Sequence, residues 1–285
     1  MTIKRVGIVG SGTMGSGIAE VAAKNGYEVV LRSRSQEGAD GMVKGLEKSL
    51  GKQVDKGRLS EEDRDATLGR VRGVTDLGEL ADCDIVIESV VEDLGVKKEL
   101  FASLDQICGE HVILATNTST LPVVDMAVAT SRPGQVIGIH FFNPAPMMGL
   151  VEVVRAITSA DETVEAALAF AKSCGKDPIE VRDVAGFVVN ALLFPYLNSA
   201  VRLLERGVAD QDDIDSAMKA GANMPMGPFA LIDLVGVDVT VAILDALHAE
   251  NPDPFLQPAA HLRRMLAAGR LGRKSGQGFY DYSKR

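Results

Sequence analysis

An α/β first domain on a mainly parallel sheet, with a helical-hairpin insertion and a smaller all-α domain behind it, is the fold that this 285-residue sequence predicts. Three observations carry it. Short apolar runs alternate with segments of helical period through about Arg182. A glycine-rich turn separates the first such run from the first helical segment. Beyond Arg182 the strand-like runs stop and long helical patterns take over.

Taken in order, "KRVGIVG" (4–10) is an apolar run ending in glycine, and "TMGSGIAEVAAKNG" has helical spacing that stops at Gly26. "EVVLR" (28–32) is the next strand candidate. Residues 37–70 are charged and helical in pattern, broken by Gly51 and Gly57, and too long for a simple crossover; an inserted helical hairpin is expected there. Strand-like runs resume at "CDIVIES" (83–89), "HVILATN" (111–117), "QVIGIHF" (135–141) and "GLVEVV" (149–154), with helical patterns between most of them. That alternation implies a mainly parallel sheet covered on both faces. "GFVVNALLFPYLNSAVRLLERG" then opens the helical part, followed by "ADQDDIDSAMKAG", "VTVAILDALHAE" and "PAAHLRRMLAAG". The first of these is apolar over more than one face, which predicts burial against a partner surface, a second subunit among the candidates. The expected domains are residues 1–184 and 185–285.

Composition narrows the function classes. With 46% hydrophobic residues the chain is globular, and 39 acidic against 30 basic residues disfavour nucleic acid or an anionic membrane surface as the main partner. Cys83, Cys108 and Cys174 are odd in number and far apart, with no C-x-x-C, which argues against a disulfide framework or a metal site and for a reducing, cytoplasmic setting. The N-terminus runs straight into a strand pattern, and no stretch of about 18 apolar residues occurs, so neither export nor membrane spanning is expected.

"GSGTMG" places Gly10, Ser11, Gly12, Thr13, Met14 and Gly15 between a strand and a helix, the fingerprint of a Rossmann-type dinucleotide fold. The first glycine allows the tight turn, the second lets backbone approach a pyrophosphate, and the third lets helix pack on strand; backbone N–H groups at the helix start hold the phosphates. His140 alone of four histidines closes an apolar strand run, where a strand's carboxyl end faces the ligand crevice. On the residues alone it is equally a hydrogen-bonded core histidine. Glu152, twelve residues on in "GLVEVV", needs a partner if buried, which a histidine can supply, and none if it lies on an edge strand facing water.

The second strand ends in "RSRS" rather than in an acid. An acid there binds the adenosine ribose hydroxyls and repels the extra phosphate of NADP, whereas Ser33 removes that repulsion and Arg34 offers a planar donor fork. Two like charges about 4 Å apart at an effective dielectric near 20 interact by about 4 kcal/mol before screening, so the missing acid is a large change. NADP(H) is therefore the expected cofactor. NAD(H) is the alternative, with Ser33 on the ribose and Arg34 in water.

The segments "GSGTMGSGIAE", "VIESVVED", "NTST", "GIHFFNPAP", "LVEVV", "GFVVN", "PMGPF" and "GRKSGQGFYDY" occur in an order and spacing that closely resemble the 3-hydroxyacyl-CoA dehydrogenases, in particular the short-chain 3-hydroxybutyryl-CoA type, over essentially the whole chain. The resemblance implies that His140 and Glu152 form a catalytic dyad and that Ser119 and Asn190 hydrogen-bond the 3-oxygen and thioester region of the substrate. It also sets Glu92, Lys97, Ser119, Asn143 and Lys274 around the cofactor, with Ser49 and Lys56 of the hairpin, and Ser119, toward the coenzyme A thioester. A homodimer through the helical domain is implied as well. The expected reaction interconverts 3-oxoacyl and 3-hydroxyacyl thioesters by hydride transfer. Ser33, Gly149, Ala191 and Met224 depart from the family pattern, where an acid, a lysine, an arginine and a histidine are common. The last three leave acyl-chain preference open, as well as a carrier-protein thioester as the alternative substrate. A redox-sensing nucleotide binder without chemistry would need only the first domain.

Overall fold

Short Val/Ile-rich runs, buried on both faces, make the strands, and the glycine or polar residues between them start and stop the helices. The computed structural model describes residues 3–283. By its contacts the chain separates into two units, Met1–Asp183 and Val184–Arg285.

In the first unit the strands are β1 (Arg5–Val9), β2 (Glu28–Arg32), β3 (Val71–Val74), β4 (Ile85–Glu88), β5 (Ile113–Thr116), β6 (Val136–Phe141), β7 (Leu150–Arg155) and β8 (Asp177–Arg182). They form one sheet in the order β3, β2, β1, β4, β5, β6, β7, β8. Neighbours from β3 to β6 are parallel, β7 is antiparallel to β6, and β8 is parallel to β7. The sheet is thus mainly parallel, and its order reverses between β1 and β4, where a dinucleotide crevice is expected.

The helices of this unit are α1 (Thr13–Lys24), α2 (Gln36–Asp55), α3 (Glu61–Leu68), α4 (Leu94–Ile107), α5 (Val123–Ala127) and α6 (Asp161–Ser173). The insertion is the α2–α3 hairpin. Ser35 and Ser60 cap its helices by accepting from the N–H groups of Gly38 and Asp63. Ala39, Met42, Leu46 and Leu50 form the buried stripe of α2. Two strands lie outside the expected set. β3 is four residues long and carries Arg72 and Gly73, and β8 leaves most of its residues exposed; both are edge strands, so neither carries a continuous apolar run.

The second unit is helical: α7 (Val189–Glu205), α8 (Gln211–Gly221), α9 (Pro228–Val235), α10 (Val237–Glu250) and α11 (Ala260–Ala267). Phe194, Leu197, Val201, Phe229, Ile232, Leu244 and Leu262 belong to its core. α9 spans two turns, short of the usual length of a periodic signal; buried Asp215 accepts from the N–H groups of Phe229 and Ala230 at its start. Asp233 on α9 accepts from Phe279 and Tyr280 and so pins the C-terminal segment. Among the described residues no helix is long and apolar enough to cross a membrane.

Candidate active site

At two positions of the turn after β1 only glycine fits. Gly10 has φ +131°, and a Cβ there would sit 2.2 Å from the Ser89 carbonyl oxygen; one on Gly15 would sit 2.2 Å from the Gly10 carbonyl oxygen. At Gly12 a Cβ would meet nothing within 4 Å, so that backbone faces open space. Gly12 also starts α1 with no side-chain cap, leaving the N–H groups of the first turn, through Thr13 and Met14, to meet an anion. A cavity of about 410 Å³ opens here, lined by Gly10, Ser11, Gly12, Ser33, Arg34 and Val90 among others. Uncapped amides, open space over Gly12 and an adjoining cavity fit a dinucleotide.

At the end of β2, Ser33 is buried, and its hydroxyl points toward the first turn of α2, 2.2 Å from where a Cβ on Gly38 would lie. Arg32 donates through Nε to the Thr75 carbonyl. Partial burial and the adjacent Arg34 charge lower the pKa of Arg32, offset in part by Asp76. Arg34 is exposed. Arg32 and Arg34 both line the cavity, at the strand end where a carboxylate would select against phosphate.

Past the switch point, charges are buried and paired. Glu88 ends β4 with no exposed surface, and its carboxylate accepts from Lys97 Nζ (2.7 and 2.9 Å), the Thr116 hydroxyl (2.8 Å) and the Val90 N–H. Lys97, on α4 and 1% exposed, also reaches Glu92 at 3.1 Å. Glu92 accepts in turn from the Thr118 hydroxyl and the Ser119 N–H. Burial pushes the Glu92 carboxyl up, but the Lys97 ammonium and these hydrogen bonds outweigh it and hold the pKa below the ordinary carboxylate range. The resemblance sets Lys97 beside the cofactor; the structure turns its ammonium inward, and Glu92, with 41% of its side chain exposed, is the member that reaches the surface.

His140 and Glu152 stand directly opposite one another in the antiparallel pair of β6 and β7. Their side chains meet at 2.8 Å through His140 Nδ1 and Glu152 Oε2, with His140 4% and Glu152 0% exposed. The antiparallel turn-back of β7 makes this possible, since directly paired residues on adjacent strands share a face. Phe142 covers the imidazole, ring centroids 4.5 Å apart. The Asn117 side chain accepts from the Phe141 N–H at 2.8 Å, extending the hold of β5 on β6 past the ladder. Asn143 follows, exposed and joined to Pro144 by a cis peptide bond. Buried Lys176 donates to the carbonyls of Ala145 and Met148, fixing the loop that leads into β7.

The first unit thus gathers the glycine turn with Ser33 and Arg34, the Glu92, Lys97 and Ser119 group, and the His140–Glu152 pair. Ser49 and Lys56 lie on the hairpin: the Ser49 hydroxyl donates to buried Glu20 of α1, and Lys56 is exposed at the end of α2. Asn190 and Lys274 belong to the second unit, Asn190 buried near the start of α7 and Lys274 ion-paired with Asp238 at 2.6 Å. Glu88, Thr116 and Phe142 were not foreseen as site residues. Glu88 carries the signal that marked Glu152, an acid in an apolar strand run, with a lysine nine residues on to complete it.

Comparison with known proteins gives the family. Residues 5–184 match the NAD binding domain of 3-hydroxyacyl-CoA dehydrogenase, and residues 186–282 match its C-terminal domain. The 3-hydroxybutyryl-CoA dehydrogenase of Clostridioides difficile is 45% identical over 280 residues, covering 98% of this chain and 100% of that protein. The mitochondrial hydroxyacyl-coenzyme A dehydrogenase of Rattus norvegicus is 44% identical over 288 residues, covering 98% of this chain and 91% of that protein. The crystal structure of (S)-3-hydroxybutyryl-CoA dehydrogenase from Ralstonia eutropha superposes with a TM-score of 0.96 at 43% identity, covering 99% of each chain. The chain belongs to the 3-hydroxyacyl-CoA dehydrogenase family.

Proposed function

We propose that this chain interconverts short 3-oxoacyl-CoA and 3-hydroxyacyl-CoA thioesters, acetoacetyl-CoA and 3-hydroxybutyryl-CoA among them, and uses NADP(H) in preference to NAD(H). The observation that carries the catalytic reading is the buried His140–Glu152 pair, set face to face across β6 and β7. A bound nicotinamide supplies or accepts the hydride at substrate C3. His140 exchanges the proton with the C3 oxygen through Nε2, because Glu152 engages Nδ1 and orients the ring. Ser119, with its backbone held by Glu92, donates to a substrate oxygen, the kind of contact whose loss costs about 10²–10³ in rate.

The glycine turn and the start of α1 hold the pyrophosphate. Arg34, with Arg32 beside it and Ser33 in place of the acid, receives the 2′-phosphate of NADP(H). Burial first and the neighbouring Arg34 charge second lower the pKa of Arg32, and a phosphate beside the two arginines relieves the second of these. Exposed Lys52, Lys56 and Arg58, in the last turn of α2 and just past it, form a small basic group that meets the phosphates of coenzyme A, which favours CoA over a carrier-protein thioester. The protein acts in the cytoplasm as a homodimer through its second unit; α7 supports this by leaving Leu192 72% and Leu203 38% exposed.

Reduction of acetoacetyl-CoA by NADPH and by NADH, followed side by side at equal concentrations, tests both parts. Turnover with both and a higher kcat/KM with NADPH is expected. No turnover with either would overturn the catalytic reading, and faster turnover with NADH would overturn the cofactor preference alone.

A further inference from the structure

The sheet order divides the crevice. The end of β2 meets the adenosine ribose in dinucleotide folds, so the nicotinamide half lies past the switch point, over β4, β5 and β6. Glu88 at the end of β4, Glu92 in the loop after it and Lys97 on α4 gather in that half, bonded to Thr116 at the end of β5 and to Thr118 and Ser119 just past it. Two carboxylates share one ammonium, a net charge of about −1. Among the described residues, no other lysine or arginine contacts either carboxylate. Glu88 and Lys97 are sealed inside, whereas 41% of the Glu92 side chain is exposed, so the excess charge faces outward at Glu92.

We propose that Glu88, Lys97 and Glu92 together select the oxidation state of the bound cofactor, their excess negative charge favouring the cationic oxidised nicotinamide over the neutral reduced one. This rests on the reading that a nicotinamide dinucleotide occupies the crevice. Glu88 is the positioning residue. It accepts Lys97 Nζ on both carboxylate oxygens, and without its charge the ammonium would neutralise Glu92 alone. The same contacts tie β4, β5 and α4 together, so a purely structural clamp is the competing account. The two differ in one respect. A clamp affects both oxidation states alike, and a charge acts on their difference.

The test is calorimetric titration of the full chain, without substrate, with NADP⁺ and with NADPH, for wild type, Glu88→Gln and Glu92→Gln. Each variant brings the group from about −1 to about 0. The ratio of Kd for NADP⁺ to Kd for NADPH should rise about fivefold to tenfold in both. A ratio unchanged in both variants, even if both affinities fall together, overturns the proposal. A ratio unchanged in Glu88→Gln alone overturns the part given to Glu88. Should Glu88→Gln not fold, the half-exposed Glu92→Gln decides the selector by the same ratio. If wild type binds neither form, the dinucleotide reading itself fails, and the selector with it.

Discussion

The two ends of one crevice hold their charges in opposite ways. At the end of β2, Arg32 is partly exposed with one hydrogen bond to a carbonyl, and Arg34 stands exposed at the mouth of a cavity of about 410 Å³. From β4 to β7 the charges are paired and, apart from the partly exposed Glu92, buried: Glu88 and Glu92 both with Lys97, His140 with Glu152. Exposed charges are solvated whether or not a ligand is present, so replacing one alters affinity and little else. Buried charges persist only in satisfied sets, so removing one member disables its partner too. The proposed function thus puts cofactor choice where single substitutions are cheap, and proton transfer where residues must change together.

The largest effect expected from this contrast is at the dyad. His140→Ala and Glu152→Gln should each lower kcat on acetoacetyl-CoA by about two orders of magnitude or more, while cofactor Kd stays near wild type. An active His140→Ala would break the contrast at its buried end. A smaller effect belongs to the exposed end: Ser33→Asp should raise KM for NADPH about tenfold and lower it for NADH, and Arg34→Ala should weaken NADPH alone. Equal changes for both cofactors would show that these residues do not read the phosphate. Smallest is Lys56→Ala, expected to raise KM for the CoA thioester roughly threefold, reduce its salt dependence and leave kcat on a truncated thioester unchanged. Identical KM values would make Lys56 a solvated helix end.

Where residues repeat a burial pattern, the sequence was a good guide to the structure. The buried strands β1, β2 and β4 to β7 all show as apolar runs, but β3 and β8 do not, because an edge strand has one solvated side and few apolar positions. Helix α9 is too short to show a period and is stabilised from a distance by Asp215. In the site, His140 and Glu152 stand out because a charged or polar residue in an apolar strand demands a partner. Ser119, Asn143, Asn190 and Lys274 carry no such mark and came from the family resemblance alone. Lys97 is instructive in another way: a lysine on a helix is ordinarily a solvated residue, and nothing in its sequence setting marks that this one is buried between two acids. Ser49 is similar, its hydroxyl turned onto Glu20, an acid that the helical pattern of α1 does not mark as buried.

The central claim is that His140 and Glu152 act as one unit, and the kcat of the His140→Ala, Glu152→Gln double variant tests it most directly. Residues that share one function are non-additive, so the double variant should be no more than about threefold slower than the slower single variant. A loss equal to the product of the two single losses would contradict the account, showing that the buried pair does not work as a dyad.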